Sequence, residues 1–380
     1  MDTSRFDNLY HSILLKCTFG LLPQEIYGKL SFRHIVLVVC SIFMVGNSLL
    51  LYIFAFITYQ STYDLARKLF IPTNFLCYYV EWVVMLYHLK IISKIDFQLK
   101  QFNSIKFVSC EKILSERYES FEGYLTLYEK IYYFVSLSFV CIPAFQTVYG
   151  LLLGEPMKPL LLIPLMEFPY KPIYSVFLYA FQVPFVFICI TIRIGVFEWA
   201  ATVTFLVNTQ VKVMEIALLT NSAIIDRISL KEFYEDHLLL LKKLKMFLVG
   251  FQNIASCKVF LCIYIITFFS FLMVSSELSH ADAFKFAGGD VIILGELTAF
   301  CFMGTFIKNS LNELGYIVYE SPWFLLGSKY TKTASLIVQR CQCSIKPTAW
   351  FGTINMELPT VVDVLHLCYS CFNILLSIRK

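Results

Sequence analysis

One uninterrupted apolar stretch constrains this chain more than any other feature. Residues 35–63 contain no Asp, Glu, Lys, Arg or His. A helix needs about 20 apolar residues to cross the hydrocarbon layer, where every backbone amide must find its hydrogen bond inside the helix. The stretch therefore predicts a transmembrane helix. Hydrophobic residues make up 58% of the 380 positions and charged residues 15%, so further spans must follow.

Six more apolar segments make the predicted fold class an all-α, polytopic membrane protein with seven transmembrane helices. They are expected at about 69–92, 131–154, 173–193, 247–275, 291–307 and 359–378. The helical pattern of the fourth span continues past the bilayer toward Asn221. Gly288, Gly289 and Asp290 precede the sixth span. Five prolines between residues 155 and 172 predict a structured loop there.

The distribution of basic residues predicts the orientation. With the N-terminus inside, the four cytoplasmic segments hold 21 Lys and Arg and the opposite side holds seven. Because cytoplasmic loops carry the excess of Lys and Arg, we expect a cytoplasmic N-terminus and an extracellular C-terminus. This orientation is opposite to that of a G-protein-coupled receptor, and the chain has no Asn-Pro dipeptide of the kind found in that family's seventh span.

The expected organisation has four parts: a cytoplasmic N-terminus (1–34), a six-helix bundle with a ligand pocket (35–307), a cytoplasmic anchor and assembly segment (308–350), and the seventh helix (351–380). The anchor mixes apolar and basic residues at helical spacing after Pro322, which predicts an amphipathic helix. Its apolar face must pack either within its own chain or against another subunit.

Several function classes are excluded by composition. A net charge of +4 from dispersed basic residues gives no nucleic-acid surface. Most of the 13 cysteines lie in apolar runs, where they act as small hydrophobes, so no metal site is expected. No catalytic constellation and no phosphate-binding loop are recognisable, so we expect neither an enzyme nor a cofactor.

An ordered set of residues near the C-terminus forms a recognisable signature. It consists of Tyr319, Trp323, Arg340, Gln342, Lys346, Ala349, Gly352 and the motif Tyr369-Ser370-x-Phe372. This set resembles the C-terminal signature of the insect odorant receptor family. The earlier part of the chain, about 300 residues, is similar to that family only in architecture.

The resemblance implies the odorant-binding subunit of a heteromeric, odorant-gated, non-selective cation channel in the plasma membrane of olfactory sensory neurons. It implies assembly, as a tetramer, with the odorant receptor co-receptor. The co-receptor itself has a longer second cytoplasmic loop than this chain. The alternatives are a gustatory receptor channel of the same superfamily, whose final-span pattern is not matched at Cys368 and Leu375, and a G-protein-coupled chemoreceptor.

The resemblance implies an odorant pocket in the outer half of the bundle, between spans two, three, four and six. Small volatile ligands bind mainly through dispersion and apolar burial, which aromatic walls supply. Aromatic residues make up 17% of the chain. The alternative for each candidate is contact with lipid or with another helix. The candidates are Phe75, Tyr78, Tyr79, Trp82, Cys141, Phe145, Phe177 and Phe181.

The last span carries the predicted pore. Leu365, Cys368, Phe372 and Leu375 recur at three- and four-residue spacing and share a helix face. The resemblance implies that Phe372 forms a hydrophobic gate, which stops ions by excluding water, with Leu375 and Cys368 on the same pore face. The alternative is that Phe372 packs against span five or six. Subunit assembly is assigned to Tyr319, Trp323 and Arg340.

Ionisable residues in the predicted spans need an environment of their own, because a bare charge in lipid is costly. Glu81 either faces a wet cavity, pairs with a residue such as Arg193 or His88, or is protonated, and we expect a pair. The same question stays open for Glu296. Asp363 and His366 either face water near the inner mouth of the pore or form an ordinary intrahelical pair.

Overall fold

Long helices dominate the protein. The computed structural model describes residues 12–13, 16, 46, 49, 52–53, 56–57, 76, 79–87, 111–152, 172–220, 227–275, 280–321, 328–342 and 346–379. Residues 79–87 are helical. The longer helices are α1 (Glu111–Leu152), α2 (Pro172–Thr220), α3 (Arg227–Ser275), α4 (His280–Glu320), α5 (Ser328–Gln342) and α6 (Leu358–Arg379).

Helices α1 to α4 are too long to be accounted for by the membrane alone. They contain 42, 49, 49 and 41 residues, which at 1.5 Å per residue gives about 60–75 Å, twice the hydrocarbon thickness. The predicted continuation of the fourth span toward Asn221 is confirmed, since α2 ends at Thr220.

Four of the described stretches are long and apolar enough to cross a membrane: Ile190–Ile216, Phe233–Val274, Ala287–Glu320 and Leu358–Ser377. The predicted all-α, polytopic membrane class is therefore confirmed. The orientation of the termini stays a prediction, and the predicted first span lies largely outside the described residues.

The helix of the sixth span begins earlier than expected. It starts at His280 and contains Gly288 and Gly289, whose cost inside a helix is only about 1 kcal/mol each. The second glycine has a packing reason. A Cβ atom at Gly289 would lie 2.7 Å from the ring of Phe269, so the absent side chain lets α4 approach α3.

Aromatic side chains form the centre of the bundle. Trp199 of α2, Phe247 and Phe251 of α3 and Phe300 of α4 are fully buried. Successive ring centroids along this series lie 5.0, 5.4 and 5.5 Å apart, in the range where tilted aromatic pairs attract. Part of the high aromatic content therefore serves helix packing.

The amphipathic helix predicted in the anchor is confirmed over Ser328–Gln342, whereas its predicted start at Pro322 lies outside the described residues. Ala334, Ile337 and Cys341 form its buried face. A Cβ atom at Gly315 of α4 would lie 2.9 Å from Cys341 Cβ, so the two helices are in close contact. Burial raises the pKa of the Cys341 thiol to about 12. This part of the apolar face thus packs within its own chain.

A short hairpin connects the anchor to α6. Strands β1 (Thr348–Ala349) and β2 (Ile354–Asn355) pair antiparallel around the turn Trp350–Gly352. Three consecutive φ angles are positive there: 47° at Trp350, 55° at Phe351 and 89° at Gly352. The Trp350 amide donates to Ser256 Oγ at 2.7 Å and its indole Nε1 to the Ser256 carbonyl oxygen at 3.2 Å. Helix α3 therefore holds the turn in this conformation.

Candidate functional site

One face of α6 packs against its own subunit. Thr360, Val364 and Cys368 are buried at four-residue spacing. The hydroxyl of Thr267 on α3 donates to the carbonyl oxygen of Cys368 at 3.5 Å. This bundle face fixes which side of α6 remains free in the single subunit.

The free side of α6 is polar. Asp363, His366, Ser370, Asn373 and Ser377 are all exposed and follow one another at intervals of three and four residues. At about 100° per residue this polar stripe lies roughly opposite the bundle face. Polar side chains on a membrane helix are costly against lipid and mark water-filled paths. The stripe is therefore suited to lining water.

Large apolar side chains flank the polar stripe on both sides. Val362, Leu365 and Tyr369 lie on one flank and Leu367 and Ile374 on the other, all of them exposed in the single subunit. A helix with a polar front and apolar flanks fits a place around a central aqueous path, with neighbouring helices on either side. The sequence placed Asp363 and His366 as candidates to face water, but the continuation of this polar repeat through Ser370, Asn373 and Ser377 was missed.

The predicted pore residues lie toward the bundle. Cys368 is only 3% exposed, and Phe372 and Leu375 are half-buried against the core of their own chain. They share one side of α6, as their spacing predicted, but that side is not the polar stripe. Their assignment to the pore stays a prediction.

The start of α6 is fixed to α4. Lys308 Nζ lies 2.7 Å from Glu357 Oε2, and the amide of Leu358 donates to Thr305 Oγ1 at 3.1 Å. Gly304 is buried at the same level, and a Cβ atom there would come within 1.9 Å of the Met356 carbonyl oxygen. Helix α4 thus contacts the backbone that leads into α6.

Four charged side chains meet inside the bundle, and we call them the charge cluster: Glu81, Arg193, Lys258 and Glu296. Each is at most 6% exposed. Lys258 Nζ lies 3.0 Å from Glu81 Oε2 and 3.0 Å from Glu296 Oε2. Arg193 Nη2 also donates to Glu296 Oε2, and the Tyr132 hydroxyl donates to Glu296 Oε1 at 2.9 Å. Two positive and two negative charges compensate one another where water is scarce.

Glu81 forms a buried ion pair, as predicted, but with a residue that the sequence analysis did not name. Lys258 holds it, Arg193 pairs with Glu296 instead, and His88 lies outside the described residues. A signal was present in the sequence, since Lys258 is the only charged residue between 247 and 275. Nothing in the sequence, however, says which carboxylate a lysine 177 positions away will meet.

The predicted pocket residues are described only in part. The side chain of Tyr79 is half-buried, that of Trp82 is buried with its ring centroid 6.1 Å from that of Tyr79, and that of Phe145 is 75% exposed. Phe75 and Tyr78 lie outside the described residues. Three other candidates belong to α1 or α2 by their backbone, but their side chains are not described: Cys141, Phe177 and Phe181.

The predicted assembly residues lie at the surface where they are described. Tyr319 is 66% exposed near the end of α4. Arg340 is exposed on α5, with its guanidinium 5.9 Å from the ring centroid of Tyr234. Trp323 lies outside the described residues. The exposed Leu336 of α5 adds an apolar contact surface on the same helix.

Long apolar helices, a polar stripe on the free side of the last one and a compensated set of buried charges define a multi-span helical membrane protein. The sequence profile of the family described as 7tm Odorant receptor matches residues 61–369. The chain belongs to this odorant receptor family. The resemblance inferred from the C-terminal residues is confirmed, and the gustatory and G-protein-coupled alternatives are disfavoured.

Individual relatives are distant. Odorant receptor 33b of Drosophila melanogaster is 27% identical over 84 residues, 22% of this chain and 22% of that protein. The match thus spans about a fifth of the curated relative's length. The insect olfactory receptor OR5 from Machilis hrabei in complex with eugenol has a TM-score of 0.78 at 11% identity, covering 99% of this chain and 98% of that chain. A second structure of that receptor gives a TM-score of 0.73 at 12% identity with the same coverage. At these identities the likeness shows a shared fold.

Proposed function

We propose that this chain is the odorant-binding subunit of an odorant-gated cation channel, in which α6 lines the ion path together with helices of partner subunits. The polar stripe carries the proposal. Asp363, His366, Ser370 and Asn373 are exposed in the single subunit and unsuited to lipid. Turned toward a shared axis, they would contact water, and the apolar flanks would contact neighbouring subunits.

The gate is proposed at Phe372 and Leu375, with Cys368 beside them. Phe372 lies between the bundle face and the flank that carries Leu365, so it would control opening through packing where α6 meets neighbouring helices. Exposed Asp363 and His366 would lie toward the cytoplasmic mouth, given a cytoplasmic N-terminus.

The ligand is proposed to be a small volatile odorant held between spans two, three, four and six. Tyr79 and Trp82 contribute to this wall from the second span. The other candidates remain Phe75, Tyr78, Cys141, Phe145, Phe177 and Phe181. Eugenol, bound by the Machilis receptor of the same fold, is a small aromatic volatile, and its size and apolar character fit aromatic walls.

The partner is proposed to be the odorant receptor co-receptor, in a hetero-oligomer that forms a tetramer in the plasma membrane of olfactory sensory neurons. The exposed Tyr319, Arg340 and Leu336 support a subunit contact at the cytoplasmic anchor, with Trp323 as a further candidate. The threefold excess of Lys and Arg on one side supports a cytoplasmic N-terminus.

The channel proposal is tested by current recording in cells that express this chain alone, the co-receptor alone, or both. The probes are eugenol and a panel of volatile phenols, esters and terpenoid alcohols. We expect odorant-evoked cation current only for the pair, after subtraction of any response of the co-receptor alone. Full current from this chain alone would contradict the heteromer, and an N-terminal epitope accessible on intact cells would contradict the orientation.

The pore face is tested by cysteine substitution on α6. We expect Ser370→Cys and Asn373→Cys channels to lose current when a charged, membrane-impermeant thiol reagent is applied. Val364→Cys is the matched control, because its side chain lies on the bundle face and the reagent should leave its current unchanged. Equal modification at all three positions would refute the assignment of the polar stripe to the ion path.

A further inference from the structure

The charge cluster joins the two helices that hold α6 to three other helical segments. Its shared cation, Lys258, belongs to α3, and its shared anion, Glu296, belongs to α4. The other two members are Glu81 of the second span and Arg193 of α2, and Tyr132 adds a contact from α1. Five helical segments thus meet at one compensated group of charges.

Both helices that carry the shared charges also hold α6. Helix α3 does so through Thr267, which donates to α6, and through Ser256, which holds the turn at Trp350. Helix α4 does so through Lys308 and Thr305 at the start of α6. A displacement of the charge cluster therefore reaches the proposed pore helix by two routes.

The charge cluster lies deep in the bundle. At 1.5 Å per residue, Lys258 is about 26 Å from the end of α3 at Ser275, and Glu296 is about 24 Å from the start of α4 at His280. Those ends lie on the side where the odorant pocket is proposed. Glu81 is the sequence neighbour of Trp82, a proposed pocket residue, so the charge cluster borders the proposed pocket.

The charges constrain how these helices can move. Separating Lys258 from Glu81 would leave both in a poorly hydrated interior, and breaking a buried pair from one side costs about 3–5 kcal/mol. Helices joined in this way move together. Stability alone does not explain the arrangement, because well-packed apolar residues of similar volume often stabilise as much as a buried ion pair or more.

We propose that the charge cluster is the mechanical link that couples ligand occupancy in the outer bundle to α6, with Lys258 and Glu296 as positioning residues. The proposal rests on the channel function proposed above and assigns the coupling of that function to particular side chains. In it, a ligand that displaces the second span or α2 carries Glu81 or Arg193 with it. Lys258 and Glu296 are displaced with their ion-pair partners. Helices α3 and α4, which carry these two residues, move as a result and displace α6.

The decisive variant removes the link and keeps the charge balance. Lys258→Met alone leaves one uncompensated negative charge, and we expect it to lower the amount of channel at the cell surface. Lys258→Met with Glu81→Gln restores neutrality but severs the second span from α3. The matched control is Lys212→Met with Glu313→Gln, which removes a Lys–Glu pair of 2.6 Å between α2 and α4 outside the charge cluster.

We expect the balanced double variant to reach the surface with the co-receptor while its maximal current falls at least about tenfold, the effect of about 1.4 kcal/mol of lost coupling. The probe is the compound of the panel that gives the largest wild-type current. Its stabilisation of the purified channel against heating should persist, because neither substitution replaces an aromatic side chain proposed to line the pocket. Wild-type current in the double variant, or a double variant no better expressed than Lys258→Met, would overturn the proposal.

A measurement without ligand keeps this test separate from the channel proposal. We expect amide hydrogen exchange of residues 358–379 to be faster in the double variant than in the wild type and in the Lys212 and Glu313 control. Unchanged exchange of α6 would refute the link even if the channel conducts. Absence of odorant-evoked current in the wild-type pair would instead count against the channel function, while the exchange result would still decide the coupling.

Discussion

Replacing Gly304 with alanine tests the close contact between α4 and the chain that enters α6. The glycine is buried, and an added Cβ atom would lie 1.9 Å from the carbonyl oxygen of Met356 and 3.3 Å from its Cβ atom. The obstacle is backbone, which cannot turn away as a side chain could. The substitution therefore forces α4 and residue 356 apart.

The size of the effect follows from that distance. Ordinary contact begins near 3.4 Å, so the two elements must separate by about 1.5 Å, more than a packed interior absorbs without strain. Overpacking of this kind costs about 1–3 kcal/mol, and a backbone obstacle places Gly304→Ala at the upper end. Without a clash, alanine would stabilise the helix by roughly 1 kcal/mol relative to glycine. A lower free energy of unfolding for Gly304→Ala would therefore be evidence for the clash.

Thermal unfolding of the purified protein in detergent, with Gly295→Ala as control, is the assay. Gly295 lies nine residues earlier on the same helix, is exposed, and has no atom within 4 Å of its added Cβ. We expect Gly295→Ala to raise the unfolding midpoint slightly and Gly304→Ala to lower it. An unchanged or raised midpoint for Gly304→Ala would refute the close crossing.

Three further predictions concern single side chains. Tyr132→Phe removes a hydrogen bond to a buried carboxylate, and we expect about 1.5–3 kcal/mol lower stability in thermal unfolding. Because burial raises the pKa of Cys341 to about 12, its thiol stays protonated at neutral pH, and peptide mass spectrometry should find it unalkylated by iodoacetamide until the protein is unfolded. Phe351 has φ 55° and a 100% exposed ring, so Phe351→Gly should relieve strain and raise the unfolding midpoint, by about 1 kcal/mol in stability.

The sequence determined the membrane class and much of the helix layout. The length of an apolar segment and its lack of charge are local properties of the sequence. A segment with both can form a membrane helix, because a helix forms all its backbone hydrogen bonds within itself. The last span was expected at 359–378, and α6 runs from Leu358 to Arg379. The amphipathic helix of the anchor could also be read locally, from the spacing of its apolar residues. Family membership followed from a short ordered set of C-terminal residues.

Tertiary structure alone decided which side of α6 is free and which charges meet. The apolar repeat through Cys368 and Phe372 and the polar repeat through His366 and Ser370 are equally visible in the sequence. Only packing against Thr267 shows that the first repeat faces the bundle. Lys258 likewise meets Glu81 across 177 positions because five helical segments converge there. Pairings of this kind depend on how helices are placed in space, and no local pattern of residues encodes that placement.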